Sequence, residues 1–223
     1  MGVPFAERSP GAPRAPPSPS SSEEEQGDDE GWQSSSGSDG WEDPSEGAVL
    51  TLVFRAAETG AAAELAALIP QLSVPVDTPN GDGDSALHLV ALYGYIECAR
   101  VLLDQGARAG AADEGGAVPL HDAAAGGFRE LVALLLDAAP ECLDVGDQDG
   151  DTPLHNAARG GHAEVVQLLL DRGANQGAVN ADLRTPLALA MPGSEAAQVL
   201  QQAAAGQADR GGTPPASAID AET

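Results

Sequence analysis

Apolar residues recur in blocks with helical spacing through the middle of the chain. In AEVVQLLLDRGA, which starts at Ala163, Val165, Leu168 and Leu169 fall at i, i+3 and i+4, the spacing of one face of an α-helix. The same pattern occurs in IECARVLLDQGA from Ile96 and in RELVALLLDAA from Arg129. A shorter apolar stretch that ends at a glycine precedes each block. The pattern predicts repeated helix pairs, each made of a short helix and a longer amphipathic one.

The predicted pairs follow one another at a nearly fixed period. The segments NGDGDSALHLVALYGY, DEGGAVPLHDAAAGGF, DQDGDTPLHNAARGGH and NADLRTPLALAM start at residues 80, 113, 147 and 180, so the spacings are 33, 34 and 33 residues. A degenerate copy, LTLVFRAAETGAAAELAALI, comes before them. A unit of this size cannot bury its own apolar face and must stack on its neighbours. The sequence therefore predicts five stacked units, over 48–79, 80–112, 113–146, 147–179 and 180–202.

The units resemble the ankyrin repeat family. The fragments DTPLHNAARGGHAEVVQLLLDRGA and SALHLVALYGYIECARVLLDQGA carry its TPLH-type turn, its helix-ending glycine and its LLLxxGA close. The resemblance implies an all-α ankyrin-repeat solenoid, in which β-hairpin or loop connections join helix-turn-helix units, and a non-catalytic role in protein–protein interaction. The first unit lacks the TPLH turn, and the last breaks at Met191-Pro192-Gly193. These two units are predicted to cap the stack.

The helix starts are marked by residue type. Ser85, Thr152 and Thr185 can cap the short helices that follow them, whereas Val118 in the same place has no hydrogen-bonding side chain. The helix of the third unit is therefore predicted to start about 1 kcal/mol less favourably. Asp or Asn opens each of the four TPLH-type units, which suits the tight turns between them.

The chain on either side of the repeats has no such pattern. Residues 1–47 are rich in Pro and Ser and carry 11 acidic and 2 basic side chains, while 203–223 are low in complexity, so both are predicted to be disordered. Trp32 and Trp41, the two tryptophans of the protein, lie in the first segment. They are either occasional aromatics or anchors that fold onto a partner. Four serines there have an acidic residue three positions on, so the tail is either a kinase target or merely solubilising: Ser20, Ser21, Ser22 and Ser36.

Charge narrows the classes of partner. The chain has 35 acidic and no more than 10 basic side chains, a formal net charge of -25, and residues 48–202 contribute 21 of the acidic and 7 of the basic groups. This charge excludes nucleic acid and membrane surfaces as good partners and favours a basic protein. Two cysteines make no disulfide framework, and no secretory signal or apolar run of about 18 residues is present. A monomer in the cytoplasm or nucleus is expected.

The residues that could carry chemistry are better explained as structural. His88, His121 and His155 are one unit apart, roughly 10 Å in a helix stack, and cannot share one metal. The resemblance implies that they tie the turns together by hydrogen bonds. The Asp-rich turns lack the Gly and Glu that an EF-hand loop needs, and no nucleophile, phosphate-loop or HExxH motif occurs. No metal, cofactor or enzymatic activity is predicted; Cys98 is expected in the core and Cys142 in an exposed loop.

The turns and the ends of the short helices supply a candidate docking face, which the resemblance places on the concave side of the stack. Leu92 and Tyr93 form one large apolar spot, and acidic side chains dominate the turns. The residues predicted to bind a partner there are Asp82, Asp84, Leu92, Tyr93, Glu114, Gln148, Asp149, Asp151, Arg159 and Asp182. The alternative is that Asp is present only because it caps turns. This explains Asp113 and Asp147, which open their units, better than it explains the acidic residues at the second, third and fifth positions of the units.

Two functions are compatible with such a face. The first is a soluble adaptor or regulator that binds a protein partner. The second is a dedicated chaperone or escort of a basic client, such as a ribosomal protein or histone, which the acidic turns and the acidic Trp-bearing tail favour.

Overall fold

The computed structural model of the protein describes residues 44–210, with side chains for 47–205. Ten α-helices follow one another in this range as five pairs, and no strand occurs between residues 44 and 210. The helices are α1 (Pro44–Thr59), α2 (Ala62–Leu68), α3 (Ala86–Tyr93), α4 (Ile96–Asp104), α5 (Pro119–Gly126), α6 (Arg129–Ala138), α7 (Pro153–Gly160), α8 (Ala163–Asp171), α9 (Pro186–Leu189) and α10 (Glu195–Arg210). Short 3-10 turns follow α2 at Ile69–Gln71 and α6 at Pro140–Asp144.

The helices form two layers. In the inner layer α3 packs between α1 and α5, α5 between α3 and α7, and α7 between α5 and α9. In the outer layer α4 contacts α2 and α6, and α8 contacts α6 and α10. The predicted helical solenoid is confirmed, with turns and loops as its connections.

The core runs through the stack between the two layers. Leu87, Leu120 and Leu154 occupy the same place in successive inner helices and are at most 1% exposed. Burying a leucine side chain stabilises the fold by about 1.5–3 kcal/mol. Alanines that are fully or almost fully buried line the helix contacts and let neighbouring helices approach closely: Ala91, Ala99, Ala123, Ala124, Ala157 and Ala158. Leucine and alanine therefore build this core with few aromatic rings.

The last unit shows where stacking ends. The earlier turns have Gly83, Gly116 or Gly150 in the left-handed region, and the last turn has Leu183 there, at φ 59°. A β-carbon on Gly150 would lie 3.2 Å from the backbone nitrogen of Ala181 in the next unit. No further turn stacks on Leu183 within residues 44–210, so its side chain projects freely and is 81% exposed. This supports the predicted capping role of the fifth unit.

The helical region extends further than predicted at both ends. Helix α1 begins at Pro44, within the segment assigned to the N-terminal tail, and α10 continues to Arg210 instead of ending at residue 202. Between Leu200 and Gly206 the helix consists of Gln and Ala, which are good helix formers, so it continues past residue 202. The disorder predicted for residues 1–43 and 211–223 lies outside the described residues.

Both cysteines are buried free thiols. Cys98 is 1% exposed in the core, as predicted. The prediction of an exposed thiol at Cys142 is wrong, because the 3-10 turn after α6 directs this side chain inwards, where it is 3% exposed and its sulfur lies 3.9 Å from the carbonyl oxygen of Ala109. Burial raises the pKa of the Cys142 thiol, and the nearby Glu141 raises it further. A neutral thiol of this kind packs as a small apolar side chain.

Candidate functional site

Each turn between units is built by the residue that opens the unit. Asn80 Oδ1 accepts hydrogen bonds from the backbone N–H groups of Asp82 and Asp84, both at 2.9 Å. Equivalent bonds to the backbone are made by the opening residues of the later units, Asp113, Asp147 and Asn180. The opening side chains are therefore used within the turns.

Three histidines couple each turn to the next. His88 Nδ1 accepts a hydrogen bond from the backbone N–H of Ser85 at 3.2 Å, and His88 Nε2 lies 3.1 Å from the carbonyl oxygen of Ala117 in the next unit. A carbonyl can only accept, so Nε2 carries the proton. His121 and His155 repeat this arrangement on the carbonyls of the following turns. The predicted structural role of these histidines is confirmed, and within residues 44–210 no cluster of His, Cys, Asp and Glu is arranged to hold a metal.

The start of the third unit differs less from the others than its sequence suggests. The backbone N–H of Val118 donates to His121 Nδ1 at 3.0 Å, as in the neighbouring units. What is missing is the hydroxyl bond to the imidazole, which Ser85 and Thr152 make at 2.9 Å. The predicted hydroxyl caps of the second and fourth units thus act through a histidine. In the fifth unit Thr185 bonds directly to a backbone N–H.

Leu92 and Tyr93 lie exposed at the end of α3. Leu92 is 51% and Tyr93 48% exposed. The ring of Tyr93 stands 5.9 Å from that of Tyr95, measured between centroids, so one neighbour already limits its motion. We term the turn face the side formed by the turn side chains and the exposed C-terminal ends of α3, α5 and α7. Leu92 and Tyr93 are the large apolar side chains at the helix ends of this face, and Leu183 is exposed in the last turn.

The fourth unit shows that the turns and the helix ends meet on this face. The Arg159 guanidinium, at the end of α7, donates to Asp151 Oδ2 in the turn and to Asn156 Oδ1 at 3.0 Å. Asn180, which opens the next unit, donates from Nδ2 to Asp151 Oδ1 at 2.8 Å. Burial acts to raise the pKa of Asp151, but the bonds from Arg159 and Asn180 outweigh it and hold the pKa below its ordinary value.

This arrangement corrects one predicted binding residue. Asp151 was expected to face a partner, but it is 3% exposed, and both of its carboxylate oxygens are already hydrogen-bonded. Arg159 is 51% exposed along its side chain and uses its guanidinium on Asp151. Neither residue is a free binding group on the turn face.

The boundary of the second and third units is different. Burial raises the pKa of Asp84; His88 opposes this rise, and the carboxylates of Asp113 and Asp82 add to it. Asp122, on the first turn of α5, has its pKa raised to about 7 by burial and by the charges of Asp84 and Asp113. Between residues 47 and 205 no basic side chain forms a salt bridge with these carboxylates. We term Asp82, Asp84, Asp113 and Asp122 the acidic cluster.

Asp122 was not among the residues predicted from the sequence. The signal was present, because residue 122 aligns with Leu89 and Asn156 in the neighbouring units. A carboxylate in the place of a leucine that is 7% exposed was a sign of unusual electrostatics.

The remaining predicted residues are divided between exposed turns and the undescribed tail. Exposed side chains are found at Asp82, Glu114, Gln148, Asp149 and Asp182. Gln148 is also used within the stack, since its side-chain amide donates to the Glu114 carbonyl and its backbone N–H donates to the Gly115 carbonyl. Trp32 and Trp41 lie outside the described residues.

The fold and the turn face define a repeat protein of the protein-interaction class. A family model described as ankyrin repeats (3 copies) matches residues 53–144 and 120–209. The chain belongs to the ankyrin repeat family. None of the helices between residues 44 and 210 is both long and apolar enough to cross a membrane.

One curated relative matches a short part of the chain. It is the E3 ubiquitin-protein ligase KEG of Arabidopsis thaliana, 38% identical over 60 residues. The match covers 27% of this chain and 4% of the ligase. A similarity of this extent is one between repeats, so the ligase activity of the relative does not carry over to this protein.

Proposed function

We propose that the protein is a non-catalytic adaptor or regulator that binds a basic protein partner on its turn face, at the boundary of the second and third units. One observation carries this proposal: the exposed pair Leu92 and Tyr93 stands on the same face as a cluster of carboxylates with which no basic side chain of residues 47–205 forms a salt bridge.

The apolar pair supplies the anchor. Binding energy at protein interfaces concentrates in a few side chains, and tyrosine is enriched among them because it buries a large rigid area. Tyr93 has this character and is held on one side by Tyr95. Leu92 beside it extends the apolar area that a partner can cover.

The acidic cluster supplies the charge preference. Asp82 and Glu114 are exposed in the turns on either side of the boundary, and Asp84 and Asp122 lie behind them, partly buried. A basic partner would be steered towards this part of the stack and an acidic one repelled. In the fourth unit Arg159 neutralises Asp151, so that carboxylate adds little to the attraction.

The function can be tested by capture of partners on the full chain, followed by affinity measurement with the partner that is identified. Tyr93→Ala is expected to weaken that affinity about tenfold or more, as truncation of an interface anchor does. Met191→Ala is the matched control, because Met191 is also apolar and exposed (63%) and lies in the fifth unit. Equal affinities of the two variants would reject the turn-face site.

An escort of a basic client, such as a histone or ribosomal protein, is the second candidate. The observation that favours it is the formal net charge of -25, to which residues 1–47 contribute 11 acidic side chains. The test compares the full chain with a variant that lacks residues 1–43, a boundary that keeps α1 whole. Binding of a purified core histone should weaken steeply with salt and with the deletion; binding insensitive to both would reject the escort role.

A further inference from the structure

The fourth unit contains an internal example of how the turn face holds a guanidinium. Arg159 reaches from the end of α7 to Asp151 in the turn, and Asn180 of the next unit donates a hydrogen bond to the other oxygen of the same carboxylate. Because the units repeat, each of these positions has an equivalent elsewhere in the stack. The equivalents of Asp151 are Asp84 and Ala117, and those of Arg159 are Leu92 and Ala125.

At the second unit the acidic half of this arrangement is present and the basic half is missing. Asp84 stands where Asp151 does, and Leu92 stands in place of Arg159. Asp113 replaces Asn180, so a carboxylate takes the place of the amide that donates to the turn aspartate. Leu89 stands in the place of Asn156, the uncharged acceptor of the Arg159 guanidinium. A second carboxylate comes instead from Asp122 on α5 of the third unit, whose charge interacts with that of Asp84.

The third unit has neither half. Ala117 and Ala125 stand in the positions of the turn aspartate and the arginine. Among the three full units, a turn aspartate without the matching arginine therefore occurs once, in the second unit, beside the exposed pair Leu92 and Tyr93.

We propose that the partner supplies the missing group: an arginine of the bound protein places its guanidinium between Asp84 and Asp122, bonded to Asp84 as Arg159 is bonded to Asp151 in the fourth unit. This inference rests on the proposed binding function and specifies the chemistry of the partner. The aliphatic part of that arginine lies on Leu92, whose side chain is short and leaves room for it. The ring of Tyr93 is available to the same side chain.

Arginine fits this position better than lysine. Its planar guanidinium donates in several directions at once, as Arg159 does to Asp151 and Asn156, whereas the ammonium of lysine is a compact and more strongly hydrated charge. The carboxylates also gain from an added cation. Burial and mutual repulsion raise the pKa of Asp122 to about 7 and raise that of Asp84, and a guanidinium between them would lower both.

The first experiment needs no partner. Leu92→Arg in the full chain copies the fourth unit and should place an arginine on Asp84. We expect the thermal midpoint to rise by a few degrees, roughly 2–4 °C, and the rise to disappear when Asp84→Asn is added. Met191→Arg is the control, since it adds the same charge at an exposed apolar position of the fifth unit. An equal rise in Leu92→Arg with and without Asp84 would overturn the arrangement.

The second experiment uses a displayed library of short random peptides selected on the full chain. The enriched peptides should share an arginine, and its replacement by citrulline, which is neutral and of the same shape, should weaken binding about tenfold. Leu92→Arg should abolish binding while Met191→Arg retains it. Peptides that depend on Tyr93 but tolerate citrulline would overturn the arginine site alone. Peptides indifferent to Tyr93→Ala would overturn the proposed binding face as well.

Discussion

The ring of Phe128 fills the space beside Gly94, where a β-carbon would lie 2.5 Å from ring atom Cδ1. Gly94 ends α3 in the left-handed conformation, at φ 77°, and Phe128 precedes α6 in the next unit. The same relationship joins Tyr95 to Gly60 and His162 to Gly127. At these places the glycine meets two requirements, a backbone angle that other residues rarely adopt and the close approach of a ring.

Gly94→Ala should therefore destabilise the fold by more than the backbone angle alone explains. The angle costs about 1 kcal/mol, and displacement of the Phe128 ring should add about 1–3 kcal/mol. Gly161→Ala separates the two effects, because Gly161 has the same φ of 77° and nothing within 4 Å of its added β-carbon. The free energy of unfolding from denaturant titration checks this; equal losses in both variants would contradict the role of the ring.

Val118→Thr should stabilise the third unit. Val118 is 2% exposed and lies next to His121, whose Nδ1 accepts from the Val118 backbone. A threonine hydroxyl there can donate to the same nitrogen, as Thr152 does in the fourth unit, and should add about 0.5–1 kcal/mol. The reverse change, Thr152→Val, should lose a similar amount. Denaturant midpoints of both variants measure the effect, and destabilisation by Val118→Thr would refute it.

Asp122→Asn should stabilise the protein, and more so at higher pH. The pKa of Asp122 is about 7 in the fold against an ordinary value of 3.8, so the folded state binds its proton more tightly. The wild type therefore loses stability as the pH rises from 3.8 to about 7. Asparagine, already present at Asn156 in the equivalent place, avoids this loss.

The gain from Asp122→Asn should be on the order of 2 kcal/mol above pH 7 and vanish near pH 4. Unfolding free energies across this pH range give the comparison. Asp104→Asn, an exposed aspartate at the end of α4, controls for the change in net charge. A gain independent of pH would show that the Asp122 carboxylate does not titrate in this way.

Asp151→Ala and Asp84→Ala should have different effects although the residues are equivalent in the repeat. Loss of Asp151 leaves the Asn180 amide and Arg159 without their shared acceptor and should destabilise the fold by about 1–3 kcal/mol. Loss of Asp84 removes a carboxylate that its acidic neighbours repel, and stability should fall by less than about 0.5 kcal/mol or rise. Chemical denaturation of both variants at one pH tests this; losses of equal size would argue against the assigned contacts.

The local features of the fold could be predicted because each depends on neighbouring residues. The pairing of a short and a long helix follows from the spacing of apolar residues, and the stack follows from a unit too small to bury its own face. The structural role of His88 could be anticipated from its place in the motif, and that of Asn80 from the chemistry of turns. The candidate face was likewise found from the turn positions and from Leu92 and Tyr93.

The state of each charged side chain was decided by the tertiary structure. Asp84 and Asp151 occupy the same place in their units, yet Arg159 and the amide of Asn180 hydrogen-bond to Asp151, whereas the charges of Asp113 and Asp82 act on Asp84. These partners come from different helices and from the next unit, so no local pattern records them. The sequence by itself determined the repeat, the layers and the acidic character of the protein. Packing decided which of its carboxylates take part in ion pairs, because charge interactions depend on distance and burial across the stack.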